Sequence, residues 1–442
     1  MKKSSRHRPL TVLLNGRLVG AIRMASSGAI SFQYDQGWLD REYALPVSRS
    51  LPLGEQAYRG AAVIAWLENL LPDNQVIRER VAAKVGATGT GAYHLLEKIG
   101  RDCVGALQFV VDYDGENPTS EITGDILSER QIADILKNLA TVPLGIERDH
   151  DFRISLAGAQ EKTALLHYDG AWIKPSGMTP TTHILKTQIG TMPGGIDLQD
   201  SVENEFFCMR FCKAMGADIA DVEIHDFEDC RALVIKRFDR QWMQSGKLLR
   251  LPQEDFCQAT GYPPSRKYQS DGGPGIVTCV DLLSGSDRPT EDQIAFFRAQ
   301  ILFWMLAATD GHAKNFSLFL QPGGGFVMTP LYDILSVQKV CDDGQVRHRQ
   351  VRLAMSVGDA NHSRVDEIAP RHFVQSARAA GFGVGLVAEL MADMQDRIPQ
   401  AIEETYQTLP DDFPPELAAS ITRGIEARGR VLQMGIEHIG DV

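Results

Sequence analysis

Residues 11–22 read "TVLLNGRLVGAI", two aliphatic, β-rich runs around Asn15-Gly16. Asn-Gly accommodates the turn of a two-residue hairpin, so the pattern predicts paired strands. "AISFQYD" continues the sheet. The period then lengthens. In "AVIAWLENLLPDNQVIRERVAAK", Ile64, Leu67, Leu70 and Leu71 fall on one helical face, and Pro72 stops the run. "AYHLLEKIG" predicts a short helix, "VGALQFVVDY" a strand and "DGENPTSE" a polar connection. Together these predict a small α+β unit, residues 1–145.

Further on, "TALLHY", "HILK" and "RALVIKRF" have strand character, and "SVENEFFCMRFCKAMG" reads as a helix. Asp200 or Ser201 suits its start and Gly216 its end. The apolar positions Ile294, Phe297, Ile301, Trp304 and Ala308 predict a helix over 291–308. Thr290, Glu291 and Asp292 suit its first turn, and Gly311 its stop. "NFSLFL", "QPGGG" and "FVMTPLYDILS" then read as strand, turn and returning strand. Beyond about 365 the pattern is mostly helical, in "PRHFVQSARAAGF", "VGLVAELMADMQDRI" and "PELAASITRGIEARGRVLQMG". The glycine-rich pieces 190–195 and 270–275 are candidate mobile loops. The expected division is 1–145, 146–245 and 246–442.

Composition narrows the possibilities. At 442 residues the chain is long enough for several units, and its 43% apolar content is that of an ordinary globular protein. A net charge of −12 repels nucleic acid, so a DNA contact needs a local basic patch or a partner. Seven scattered cysteines form no CxxC pair, and no HExxH motif occurs. That suits a reducing cytoplasm with cysteines as small buried hydrophobes. The apolar part of the N-terminus, "LTVLL", is too short for a signal-peptide core. Arg298 and Gln300 interrupt the longest apolar stretch, which excludes a membrane span there.

The chemistry concentrates in "TDGHAKNFS", directly after the long apolar helix. Asp310 and Asn315 lie five apart, the spacing in the catalytic loop of protein kinases, and the predicted hairpin returns Asp333 towards them. Two acids and an amide suit phosphoryl transfer from ATP: one carboxylate takes the proton of the attacking hydroxyl, and the amide and second carboxylate hold Mg²⁺. A helix-ending aspartate and a turn asparagine would read the same way. Upstream, the small residues of "DFRISLAGAQEKTALL" can bring backbone N–H groups to phosphates, or make a plain hairpin turn. Lys186 ends a strand and can reach phosphates, or can be a solvated edge residue. Glu205 on the next helix can pair with it, or can be an exposed helix glutamate. Backbone groups at Lys236 to Phe238 can meet an adenine edge, as those of any strand could. The order of these pieces along the chain is that of a kinase.

"DFRISLAGAQEKTALL", "TPTTHILK", "LRLPQEDFCQ", "SDGGPGI", "ATDGHAKNFS" and "LYDIL" together resemble the HipA toxins of type II toxin–antitoxin modules, and the likeness runs nearly the full length. The resemblance implies an α+β, protein-kinase-like (phosphoinositide-kinase-like) two-lobed fold with an N-terminal α+β subdomain and a mainly helical C-terminal lobe. It implies a serine/threonine protein kinase using ATP and Mg²⁺. Asp310 would be the catalytic base with His312 beside it, and Asn315 and Asp333 the metal ligands. Ala157, Gly158, Ala159, Gln160, Lys162, Lys186, Lys236, Phe238 and Tyr332 would serve the nucleotide. Ser155 matches the family's autophosphorylated serine, whose modification expels the loop. The implied protein substrate is glutamyl-tRNA synthetase. The implied partner is a HipB-type helix-turn-helix antitoxin that carries most of the operator DNA affinity. H-R-D, D-F-G and a G-x-G-x-x-G loop are missing, but each placed HipA motif is intact. A non-catalytic co-repressor bridging antitoxin dimers and a small-molecule phosphotransferase are the alternatives.

Overall fold

The computed structural model describes residues 8–115, 121–146, 153–158, 160–192 and 194–436. The fold is mixed α/β and divides into two compact units. One comprises Met1–Thr187, His225–Ser265 and Leu318–Phe326; the other comprises Gln188–Ile224, Arg266–Ser317 and Val327–Val442. Neither unit is one continuous block of chain.

The first unit opens with the expected hairpin. Leu10–Leu14 and Arg17–Met24 pair antiparallel, and Asn15 and Gly16 both take positive φ at the turn. The five-stranded sheet runs in the order Tyr58–Arg59, Ile30–Tyr34, Arg17–Met24, Leu10–Leu14, Leu107–Val111. Against it packs the helix Ala61–Glu68, with Trp66 fully buried between Phe32 and Phe109. Truncating such a residue to alanine costs about 3–5 kcal/mol. The buried face differs from the expected one. Ile64 is exposed, and Val63 and Trp66 face inward instead. The helix also stops at Glu68, so Leu70 and Leu71 are buried from a turn. That turn is braced by Arg78, which pairs with Glu68 and donates to the Pro72 carbonyl at 2.5 Å. Asn74 then caps the helix Gln75–Val85 through the Val76 and Ile77 amides.

A second sheet has six strands, ordered Val222–Phe227, Cys230–Lys236, His183–Lys186, Lys162–Tyr168, Ala171–Pro175, Gly124–Leu127. The three predicted strands occupy its middle. Their inward residues Leu165, Leu185 and Val234 form a core with Ile132 and Leu136 of the helix Glu129–Lys137.

The second unit is mainly helical: Ser201–Ala214, Ile276–Ser284, Pro289–Leu306, Pro370–Ala379, Val384–Tyr406 and Pro415–Ile436. Val384–Tyr406 runs through Pro399 rather than ending before it. Ile398, Ala401 and Thr405 are buried on its inner side, and that packing outweighs the hydrogen bond proline cannot make. The 270–275 stretch is a folded turn, not an open loop. The Asp271 and Gly273 amides both donate to the Tyr268 carbonyl, and Gly272 donates to Gln269. Six of the seven cysteines are buried, in keeping with their reading as small hydrophobes. No helix among the described residues is long and apolar enough to cross a membrane.

Candidate active site

The helix Pro289–Leu306 has proline in its first turn and Glu291 and Asp292 beside it, which suits its positive end. It stops earlier than expected. Ala307 adopts a left-handed conformation, φ 51°, and the Ala308 amide closes back on the Phe303 carbonyl at 2.8 Å. Gly311 is therefore not the helix terminator. Its reason is space: a Cβ there would lie 2.1 Å from the Phe303 ring.

The next residues fold into one closed loop. The His312 amide donates to the Asp310 carbonyl (2.8 Å) and the Asn315 amide to the His312 carbonyl (2.9 Å). The Asn315 side chain reaches back and donates its Nδ2 to the Asp310 carbonyl at 2.7 Å. The five-residue spacing is thus the span of a physical closure. Within the loop, His312, Lys314 and Asn315 are buried, whereas the Asp310 side chain is 53% exposed. His312 Nε2 lies 3.6 Å from the Asp310 carboxylate. Asp310 is the loop's outward-facing acid.

Tyr332 draws the returning segment against this loop. Its hydroxyl donates to the Lys314 carbonyl (3.1 Å) and lies 2.6 Å from the Ser317 hydroxyl. Asp333 follows with φ 62°, a left-handed conformation that non-glycine residues adopt sparingly and that recurs at functional sites. Asn315 and Asp333 offer hard oxygen donors. Because the Asn315 amide nitrogen is committed to Asp310, its oxygen is turned the other way, and this fits a Mg²⁺ ligand.

One neighbour escaped sequence reasoning. Tyr268 donates its hydroxyl to the Asp310 carboxylate and sets its ring edge-on to His312, centroids 4.8 Å apart. Next to it, the Lys267 carbonyl accepts the Ala313 amide. Forty-two residues separate Tyr268 from Asp310, so no local period announces the contact.

Apart from Tyr332, the nucleotide candidates lie in the first unit. Gly158 has φ 106°, and a Cβ there would sit 2.5 Å from Lys162 Nζ. Only glycine lets that ammonium approach and donate to the Ala157 carbonyl at 2.8 Å. Lys162 faces Lys186 in register on the neighbouring strand, and both are buried. Gln160 Nε2 donates to the Thr187 carbonyl, one residue beyond Lys186. Ala159 lies outside the described residues. Ser155 is fully buried, with its hydroxyl on the Leu70 carbonyl at 2.7 Å. Glu205 is buried on the helix Ser201–Ala214, in the other unit from Lys186. The strand exit differs in part from the adenine-edge expectation. Lys236 is exposed at a ladder end opposite His183, and the Arg237 amide is already bonded to the Thr182 carbonyl. Phe238 packs edge-on against Phe319.

The second unit holds an outward acid on a closed loop with an amide tied to it, and the first unit holds a pair of sheet lysines; each by itself is a kind of part that phosphoryl transfer uses. Comparison with known proteins gives the lineage. Residues 154–404 match the model of the HipA-like C-terminal domain, and residues 10–110 that of the HipA N-terminal domain. The putative kinase Y4mE of Sinorhizobium fredii is 34% identical, covering 91% of this chain and 93% of its own. The serine/threonine-protein kinase toxin HipA of Shewanella oneidensis is 27% identical over 91% of this chain and 90% of its own. A HipA chain solved in the Shewanella oneidensis complex of HipA, HipB and operator DNA matches the fold with TM-score 0.82 at 24% identity, covering 98% of this chain and 99% of that one. This chain belongs to the HipA family.

Proposed function

We propose that this chain is the toxin of a cytoplasmic toxin–antitoxin module, a serine/threonine protein kinase that uses ATP and Mg²⁺ on a protein-kinase-like, two-lobed fold. The observation that carries this reading is the Asn315 side chain closed onto the Asp310 carbonyl, which leaves the Asp310 carboxylate facing out. In the proposed reaction Asp310 accepts the proton of the substrate hydroxyl as that oxygen bonds to the γ-phosphorus, while the bond from the γ-phosphorus to the β,γ-bridging oxygen breaks and ADP leaves with its electron pair. His312 and Tyr268 hold the carboxylate's orientation. Lys162 and Lys186 attract the phosphates, and the small residues of the 156–162 loop let its main chain come close to them. Asn315 and Asp333 would hold Mg²⁺, which supplies charge neutralisation on the phosphate oxygens.

By family likeness the protein substrate is glutamyl-tRNA synthetase, and Ser155 receives a phosphoryl group from the chain's own kinase activity. The partner is a HipB-type antitoxin, which would carry the main operator contact because this chain's net charge is −12. Co-repression with that antitoxin accompanies kinase activity in this reading rather than replacing it, since the Asp310 loop is complete.

The test is incubation with labelled ATP and Mg²⁺, with and without cell extract, beside Asp310→Asn. Label on Ser155 and on one extract protein, lost in the variant, is the expected result. Growth arrest by the expressed chain with no protein labelled would overturn the kinase reading. Operator binding by the antitoxin, unchanged when this chain is added, would overturn co-repression.

A further inference from the structure

We propose that Asp102 is a positioning residue that seats the phosphate loop, its main chain holding the start of the loop while its carboxylate is locked in place by three arginines. The inference rests on reading residues 156–162 as that loop, with Ser155 immediately before it.

The loop has little with which to hold itself. Leu156, Ala157 and Gly158 carry no polar side chain, so their placement depends on the backbone groups they meet. Two seats supply these. Asp102 forms an isolated parallel bridge with Ile154, and its carbonyl accepts the Ser155 amide at 2.9 Å. The 70–73 turn is the other seat. The Leu70 carbonyl accepts the Ser155 hydroxyl, Pro72 bridges to Gly158, and the Asp73 amide donates to the Gly158 carbonyl at 3.1 Å. Arg78 braces that second seat, as described above. The first is braced by charge.

Asp102 is 2% exposed. Its Oδ1 accepts from Arg240 Nη2 (2.9 Å) and Arg250 Nε (2.8 Å). Its Oδ2 accepts from the Thr181 hydroxyl (2.7 Å), the Thr181 amide (3.1 Å) and Arg237 Nη1 (3.4 Å). Asp239 is the second acid of the cluster and receives two bonds from Arg237, at 3.0 and 2.8 Å. All five charged side chains are buried. Burial alone would push the Asp102 carboxyl up, but Arg240, Arg250 and Arg237 together hold it well below the usual carboxylate range. Removing this one charge leaves three buried guanidinium groups facing a single carboxylate, which destabilises the cluster that holds the Asp102 backbone. Because the Ser155 amide hangs on that backbone, the loop moves with it.

This predicts a particular kinetic signature. If nucleotide binds only the seated loop, apparent affinity falls by the fraction seated, while chemistry in the bound complex is preserved. For the full-length chain carrying Asp102→Asn, we expect the KM for ATP to rise about tenfold when about a tenth of the molecules keep the loop seated. The kcat at saturating ATP should change far less. Trypsin should cut faster after Arg153 or Lys162, at a temperature where circular dichroism shows the protein folded. Thr181→Val, which removes hydrogen bonds from the cluster but no charge, should shift the same readouts less and serves if Asp102→Asn does not fold. A folded variant with unchanged KM and unchanged cleavage, or with kcat lowered and KM unchanged, would overturn the proposal. If the wild-type chain neither binds nor uses ATP, the kinase reading falls. Cleavage still decides the seat: acceleration supports it and an unchanged rate overturns it.

Discussion

Lys162 and Lys186 stand directly opposite each other across two antiparallel strands, and both are buried. Residues opposed in this way project from the same face, with Cβ atoms about 5 Å apart. Two cations so placed make a local field that attracts a polyanion. Saturating Mg-ATP should therefore raise the thermal midpoint of the wild-type chain, by mass action equivalent to about 2.7 kcal/mol at a hundredfold excess over Kd. Lys186→Met should still unfold cooperatively but lose that shift. A variant that keeps the full ATP-induced shift would remove Lys186 from the nucleotide site.

Asp310 and Asn315 should separate in their kinetics. Asp310→Asn keeps the shape of the loop but removes the proton acceptor, so phosphorylation should fall about 10²–10⁴-fold with nucleotide binding retained. Asn315→Ala removes both the tie to the Asp310 carbonyl and a proposed metal oxygen. Its half-saturating Mg²⁺ should rise about tenfold or more, measured from initial rates against metal concentration. Chelation of the metal should stop labelling in the wild type. Unaltered metal dependence in Asn315→Ala would argue that its role is loop closure alone.

These two tests rest on residues that were legible because their signals are local. The Asn15-Gly16 hairpin, the strands ending at Lys186 and Lys236, and the Asp310–Asn315 spacing each fit within one element or one turn. Where the reading failed, distant packing decided. Ile64 lost its inward place because Trp66 fills the space between Phe32 and Phe109. Gly311 looked like a helix terminator, but Ala307 turns the chain and Gly311 makes room for Phe303. Proline at 399 would end an isolated helix, yet buried Ile398, Ala401 and Thr405 carry Val384–Tyr406 through it. Tyr268 at Asp310, and the arginines around Asp102, come together only in the folded chain. No periodicity within one element could have named them.

Ser155 gives a further test. Its hydroxyl is fully buried on the Leu70 carbonyl, and a phosphate bearing about −1.5 to −2 charges would be desolvated there and face that carbonyl oxygen. The seated loop and phosphoserine at this position should exclude each other. Ser155→Glu should lose the ATP-induced thermal shift and expose the loop to trypsin. Ser155→Ala should keep the shift, lose self-labelling and cost about 1 kcal/mol for the missing hydrogen bond. Mass spectrometry locating the self-phosphorylation elsewhere would remove Ser155 from this role.

Glu254 supplies a pH dependence whose sign can be worked out. Its side chain is 1% exposed and accepts the Arg49 amide at 2.8 Å. Burial pushes its pKa up from 4.5 to about 8, and the nearby Asp255 adds to the rise. Between those values the native state holds a proton that the unfolded chain has released. Stability from this group is therefore full below about pH 4.5 and is lost as pH climbs through about 8. The loss approaches about 1.4 kcal/mol per pH unit within that window. Glutamine copies the protonated form and keeps an acceptor for the Arg49 amide, so Glu254→Gln should remove this component. Thermal midpoints of the two proteins should agree near pH 5 and diverge towards pH 9, with the variant the more stable. Parallel curves across that range would show that Glu254 is already ionised in the native state at neutral pH.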